Sequence, residues 1–217
     1  MDVSDAVRRR RSIRAFLPDP VDDDTIADLL TLAARAPSGG NVQPWRIYVV
    51  NGDTMTRFRA FMQGREVEHP PAYAIYPKGL TEPYRTSRWE LGEAMYATIG
   101  IPREDKASRL AQVAKNFDFF GAPAAIFCFI EEQMGPPQWS DLGMFLQTFM
   151  LLAQEAGLDT CPQEAWANYG NAVKEFVGAP PEQGIFCAVA IGRADWDHPI
   201  NSLYSPRESL DAFATWV

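Results

Sequence analysis

Short apolar runs alternate along the chain with segments of helical periodicity. Two runs are apolar throughout and bounded by polar or turn residues, which indicates strands buried on both faces: residues 122–131 and 184–192. Residues 45–51 and a short piece of 157–166 complete the predicted strands. Helices are predicted for 4–11, 21–36, 53–64, 86–98, 105–119, 139–157 and 171–177. This alternation predicts one α+β domain, an α/β/α sandwich that spans residues 1–217.

The segment 139–157 differs from the other predicted helices because it is apolar nearly all round. We expect a buried helix at the centre of the domain, with Ser140 or Asp141 as its N-cap and Gly157 as its C-terminal stop.

Two long segments lack a clear period. Residues 64–84 hold several prolines and aromatic residues, and we expect a lid over about 65–120. The tail over about 193–217 is polar until a final apolar FATWV. A short apolar strand there has little to pair with in its own chain, so we expect it to add to a partner's sheet.

The composition limits the classes of function. With 28 Asp and Glu against 20 Lys and Arg, the net charge of −8 argues against nucleic acid and anionic membranes as partners. The sequence shows neither a run of about 20 apolar residues nor a signal peptide. Two histidines and the absence of a Cys-x-x-Cys pair leave little to bind zinc. We expect a cytoplasmic protein whose cysteines (Cys128, Cys161 and Cys187) are free, buried and reduced.

Five arginines lie within seven positions near the start of this acidic chain, at 8–11 and 14. A nucleic-acid patch and a merely solvated charge run are two interpretations. A third is an anion clamp, because guanidinium groups bind phosphate bidentately and Ser12 adds a hydroxyl donor. If RSIRAF is extended, Arg10, Ser12 and Arg14 face one side, while Ile13 and Phe16 anchor elsewhere.

The stretch PSGGNVQPW forms the second candidate site. Two adjacent glycines allow positive φ or the close approach of a flat molecule, and polar side chains lie on either side of them. Taken alone, this pattern fits an ordinary helix-to-strand connection equally well.

Together, RRSIRAF and APSGGNVQPW resemble the nitroreductase-like flavoprotein family, in which both motifs hold FMN. The resemblance continues through AGLDT, CPQEAW, IGRAD and the late arginine of NSLYSPR. It implies a central, mostly antiparallel sheet surrounded by helices, in a homodimer that exchanges C-terminal tails. It also implies the FMN-binding residues: Arg10, Arg11, Ser12 and Arg14 at the phosphate, ribityl chain and pyrimidine edge; Arg207 at the phosphate; Pro37, Ser38, Gly39 and Asn41 from the partner; and Pro162, Gln163, Glu164 and Ala165 beside N5.

The implied activity is reduction of nitroaromatic compounds, or of related quinones and enones. NADH or NADPH reduces the flavin, and the substrate then takes a hydride from N5 at the same site, in a ping-pong mechanism. The sequence lacks a G-x-G-x-x-G fingerprint, which is consistent with a shared site. No side chain is assigned as a catalytic acid, base or nucleophile, and the preference between NADH and NADPH stays open.

The substrate pocket is the least specified part. Candidates for its wall are Gly40, Tyr84, Arg88 and Trp139. A sister branch, the iodotyrosine deiodinase-like dehalogenases, shares the FMN motifs, and Lys78, Glu82 and Tyr84 fall in the expected lid. A non-enzymatic FMN-binding or redox-sensing protein is the other alternative.

Overall fold

The computed structural model describes all 217 residues and has a four-stranded sheet at its centre. Its strands are β1 (Arg46–Asn51), β2 (Ala124–Glu131), β3 (Asp159–Gln163) and β4 (Gln183–Gly192). The order across the sheet is β1-β2-β4-β3, and every neighbouring pair is antiparallel. The predicted α+β class with an antiparallel sheet is confirmed.

Eight α-helices surround the sheet. They are α1 (Val3–Arg9), α2 (Asp23–Ala33), α3 (Gly52–Met62), α4 (Tyr84–Thr98), α5 (Lys106–Ala114), α6 (Pro136–Glu155), α7 (Gly170–Val177) and α8 (Leu210–Phe213). The predicted helix over 105–119 is too long, because α5 ends at Ala114 and the chain continues as a 3-10 turn, Lys115–Gly121. No helix is both long enough and apolar enough to cross a membrane.

Both faces of the sheet are covered, as the unbroken apolar run of β2 predicts. On one face Phe127 packs with Phe58 of α3 and with Trp166, at ring-centroid distances of 5.1 and 5.4 Å. On the other face Ile126 shares an apolar cluster with Phe145 of α6. This arrangement of helices, sheet and helices is the predicted α/β/α sandwich.

The central helix α6 begins earlier than predicted, and neither Ser140 nor Asp141 is its N-cap. Gly135 occupies that position, and Gln138 accepts a hydrogen bond from the Gly135 N–H at 3.1 Å. Proline in the first helical turn favours this start, since its fixed φ suits a helix and its missing N–H is not needed there. Burial all round is also wrong for the single chain, in which Gly143 and Gln147 are exposed.

The C-terminal segment does not form the predicted strand within one chain. Phe213 closes α8, where the Ala214 N–H donates to the Leu210 carbonyl at 2.9 Å. With no strand alongside, a local helical turn is what satisfies this backbone. Phe213 and Trp216 are 70% and 79% exposed. Pairing with a partner's sheet stays a prediction.

The expected lid contains α4 and α5, joined by an ion pair. Arg109 donates to both carboxylate oxygens of Glu93 at 2.5 and 2.9 Å, and it lies 4.2 Å from the centroid of the Tyr96 ring. No residue of α4 is buried in the chain. The segment therefore keeps its internal structure while it leaves a long helix face uncovered, and its function as a lid stays a prediction.

Candidate functional site

A cavity of about 590 Å³ gathers the arginines that the sequence singled out. Its wall carries five guanidinium groups and three hydroxyl groups: Arg8, Arg10, Arg11, Arg14, Arg207, Ser12, Tyr204 and Ser205. No Asp or Glu lines it. Residues almost 200 positions apart therefore form one strongly positive pocket.

The backbone after α1 explains how the side chains reach the cavity. Arg10 leaves the helix with φ −54° and ψ 123°, and Ser12 then bridges Thr160 at the start of β3. Ile13 donates its N–H to the Thr160 carbonyl at 3.0 Å and is only 1% exposed. The extended backbone sends Ile13 into the core and its neighbours Ser12 and Arg14 into the cavity, as predicted. Arg11 also lines the cavity, so the alternation does not extend to that position.

Asn201 holds this segment in place. Its side-chain oxygen accepts from the Arg14 N–H at 2.8 Å, and its amide nitrogen donates to the carbonyls of Ala15 and Asp195, both at 2.8 Å. Asn201 is 2% exposed. Nothing in the local sequence pattern marks this residue, because two of its three partners, Arg14 and Ala15, lie 187 and 186 positions away.

The positive charges of the cavity are largely unpaired. Burial, and then the nearby Arg207, lower the pKa of Arg10. Arg8 pairs with Asp5 at 3.1 Å, whereas Arg10, Arg14 and Arg207 have no carboxylate within ion-pair distance. Guanidinium groups in such an arrangement repel one another, and a compact anion would relieve the repulsion.

Contacts with the C-terminal part of the chain position Arg11 and Arg207. Arg11 lies over the rings of Tyr204 and Trp196, at 4.9 and 5.7 Å from their centroids. Arg207 donates to the hydroxyl of Ser205 at 2.8 Å and to the carbonyl of Pro206 at 2.8 Å. The tail thus carries aromatic and basic groups to the mouth of the cavity.

The loop over 37–44 does not line this cavity in its own chain. Gly40 and Asn41 both have φ of +58°, which explains a glycine at the first position. Asp141 of α6, 5% exposed, accepts from the Ser38 hydroxyl at 3.0 Å and from the Gly39 N–H at 3.2 Å. Asp141, considered only as a cap from sequence, is thus the residue that holds a loop whose tip is exposed.

The 162–165 turn comprises the last two residues of β3 and the first two of the 3-10 segment Glu164–Tyr169, and Thr160 of β3 borders the arginine segment. Pro162 and Glu164 are exposed and Ala165 is half-buried. Gln163 instead points inward, is 2% exposed, and donates to the Asn116 carbonyl at 2.7 Å. The side chain of Gln163 is therefore held inside the fold and is not available to a ligand.

The four candidate substrate residues are not brought together within one chain. Trp139 lines a second cavity of about 650 Å³ and packs against Phe186, with ring centroids 5.2 Å apart. Tyr84 and Arg88 lie on the exposed α4, where Arg88 stacks over Tyr76 at 3.8 Å. Gly40 is at the tip of the loop described above.

Residues 7–193 match the model of the Nitroreductase family, and the chain belongs to this family. A 4-nitrobenzoate reductase of Pseudomonas putida is 37% identical over 218 residues, which cover 100% of this chain and 96% of that protein.

Two solved structures place the fold in the same family. An FMN- and NADPH-dependent nitroreductase, NfnB of Sphigopyxis sp. strain HMH, is 45% identical with a TM-score of 0.95, covering 100% of this chain and 99% of the other. The FMN-dependent nitroreductase NfnB of Mycobacterium smegmatis, solved in complex with NADPH, is 27% identical with a TM-score of 0.90 and full coverage of both chains.

Proposed function

We propose that this chain is an FMN-dependent oxidoreductase that uses NADPH or NADH to reduce nitroaromatic compounds, by a ping-pong mechanism at one shared site. The observation that carries the proposal is the arginine cavity, in which Arg10, Arg14 and Arg207 meet with no carboxylate to neutralise them. The named activities of similar proteins support it.

The donor set of the cavity fits the phosphate of FMN. A phosphate dianion offers several oxygens to guanidinium forks and hydroxyl groups, and its charge would offset the repulsion between Arg10 and Arg207. Ser12 adds a hydroxyl on the same wall. The volume of about 590 Å³ exceeds the needs of a phosphate and leaves space for the rest of a larger ligand.

The proposed roles follow from how each residue is held. Arg10, Ser12 and Arg207 bind the phosphate, while Arg11, stacked against the tail, closes the rim. Arg14 is fixed by Asn201 and by a hydrogen bond from its own guanidinium to the Ser12 carbonyl at 3.1 Å. We assign it to the pyrimidine edge, where positive charge would stabilise an anionic ring.

When bound, FMN supplies the hydride chemistry that no side chain of this protein provides. The role of the protein is to bind FMN and to orient it. The turn of Pro162, Gln163, Glu164 and Ala165 would bring main-chain groups beside the reactive nitrogen of the ring. The loop of Pro37, Ser38, Gly39 and Asn41, held by Asp141, covers the ring from a partner subunit.

The dimer is part of the proposal because one chain leaves the site half built. The loop tip at Gly39 and Asn41 is exposed and lies outside the arginine cavity of its own chain. The uncovered face of α6 at Gly143 and Gln147, with the exposed Trp216, offers surface for a second copy. We expect an extensive two-fold interface of the obligate type, into which the tail of each chain extends.

We propose a nitroaromatic substrate, with nitrobenzoates as the first to test. The Pseudomonas putida relative is named for 4-nitrobenzoate. Gly40, Tyr84, Arg88 and Trp139 are our candidates for the pocket wall in the dimer. The dehalogenase alternative gains no support from Glu82, which is engaged by Arg85 through a hydrogen bond from Nε at 2.7 Å.

The test is an anaerobic experiment on the purified holoprotein in two half-reactions. We expect a yellow protein whose flavin absorbance bleaches with NADPH or NADH and recovers with 4-nitrobenzoate; rates with the two donors settle their preference. A bleached protein that 4-nitrobenzoate, nitrobenzene and a quinone all leave bleached would contradict the proposed substrates. A yellow protein that neither donor bleaches would favour a sensing role, and a colourless protein that FMN cannot reconstitute would refute the proposal.

A further inference from the structure

Gln163 is a buried amide that makes hydrogen bonds on one side only. Its Nε2 donates to the carbonyl oxygen of Asn116 at 2.7 Å and to the side-chain oxygen of Asn116 at 3.3 Å. Its Oε1 is buried and has no partner. Buried polar groups are costly unless they are hydrogen-bonded. The amide therefore acts at this position only as a donor.

The hydrogen bonds between Gln163 and Asn116 join two separate parts of the fold. Asn116 lies in the 3-10 turn Lys115–Gly121, immediately after the lid helix α5. Gln163 is the last residue of β3 and immediately precedes the 3-10 segment Glu164–Tyr169. Aromatic contacts reinforce the junction, since Phe117 and Phe119 pack on Trp166 with ring centroids 5.4 and 4.9 Å apart.

We propose that Gln163 is a positioning residue, which fixes the main chain of residues 162–165 and links that turn to the end of α5. This inference rests on the proposed function, in which the same turn faces the reactive ring of FMN. A side chain anchored at Asn116 limits the movement of its own backbone and of Glu164, the next residue. Loss of the anchor would therefore alter the electrostatic environment of the flavin with no change in the phosphate cavity.

Because the Gln163 amide acts only as a donor, replacing it with a titratable acid should give a specific dependence on pH. Gln163→Glu keeps the shape of the side chain, and a protonated carboxyl can still donate to the Asn116 carbonyl. An ionised carboxylate can only accept, and it would face two oxygens of Asn116. The titratable groups on the elements packed around the amide form no hydrogen bond with it: Lys115, Asp118, Cys161, Glu164 and Tyr169. The variant should therefore resemble the native protein at low pH and lose the anchor as pH rises.

The experiment compares Gln163→Leu and Gln163→Glu with Gln112→Leu as a matched control. Gln112 is a second buried glutamine, 4% exposed, whose Nε2 has no partner, and it lies on α5. The readouts are the reduction potential of the bound FMN, kcat and KM for NADPH, and hydrogen exchange of the amides of 163–165 in the apoprotein. We expect Gln163→Leu to lower kcat about tenfold or more, with KM for NADPH nearly unchanged. The same variant should shift the reduction potential of FMN and speed amide hydrogen exchange at 163–165. Gln112→Leu should stay close to the native protein in every readout.

A folded, FMN-loaded Gln163→Leu protein with native potential and native kcat would overturn the inference. A Gln163→Glu protein that shows no pH-dependent difference from the native protein would also overturn the inference. This second variant provides the test if Gln163→Leu fails to fold. A native protein that binds no FMN would instead refute the proposed function. In that case, unchanged amide exchange in the Gln163 variants would still overturn the anchoring of the turn.

Discussion

Arg10→Met should weaken FMN binding and at the same time stabilise the apoprotein. Arg10 is half-buried at the start of the cavity, and burial together with the charge of Arg207 lowers its pKa. Without an anion the two guanidinium groups repel each other. Removal of one therefore abolishes this repulsion and stabilises the folded apoprotein. Methionine keeps much of the unbranched apolar stem and removes only the charged end.

The magnitudes follow from the contacts that each state gains or loses. One charge-assisted hydrogen bond contributes about 1.5–3 kcal/mol, and each 1.4 kcal/mol is tenfold in affinity. The Kd for FMN should therefore rise by about 10- to 150-fold. The repulsion in the apoprotein is screened by solvent and should be worth about 0.5–1 kcal/mol, which raises the Tm by about 1–4 °C for a chain of this size.

Arg9→Met is the matched control, because Arg9 is exposed on α1 and does not line the cavity. It removes the same charge one position away. FMN titration by fluorescence quenching and thermal unfolding of apoprotein and holoprotein measure both effects. If Arg10→Met and Arg9→Met changed the FMN affinity equally, long-range charge would account for the result and the assignment of Arg10 to the phosphate would be refuted.

Three further outcomes are expected. Asp141→Ala removes the acceptor of the Ser38 hydroxyl and the Gly39 N–H. The free energy of unfolding should fall by about 1–3 kcal/mol, and FMN binding should weaken. Unchanged thermal unfolding and FMN titration curves would contradict this. Burial raises the pKa of Cys128 to about 12 and that of Cys161 to about 11. Because unfolded thiols ionise from about pH 8.5, stability should fall above that pH by up to about 1.4 kcal/mol per thiol per pH unit, and a Tm that is flat to pH 10.5 would speak against it. Deletion of residues 210–217 should shift sedimentation toward monomer and release FMN on dilution; an intact dimer would count against tail exchange.

The sequence was sufficient for the elements that depend on local pattern. β2 and β4 are apolar except at Glu131 and Gln183, which lie at their ends, and their predicted bounds are within two residues of the observed ones. The burial of Ile13 between Ser12 and Arg14 also follows from a local property, alternation after a helix end, from which Arg11 departs. Its connection to Arg207 came from the resemblance, as did the FMN assignment.

The remaining contacts depend on tertiary structure. Asn201 and Gln163 bond to atoms at distant sequence positions, and no periodicity signals such partners. The start of α6 was misplaced because Ser140 and Asp141 have cap chemistry, while the actual cap geometry is set by Gly135 and the prolines after it. The strand expected in FATWV depends on a second chain, so a single chain leaves it as a helical turn and an exposed end.

The most direct test of the central assignment compares FMN with riboflavin, which differs only by the phosphate, in titrations of the apoprotein. We expect FMN to bind at least about 100-fold more tightly, as two or more charge-assisted hydrogen bonds require. The advantage should shrink as salt concentration rises, and Arg10→Met should lose most of it. Equal affinities for the two ligands would contradict the assignment of the arginine cavity to the phosphate of FMN.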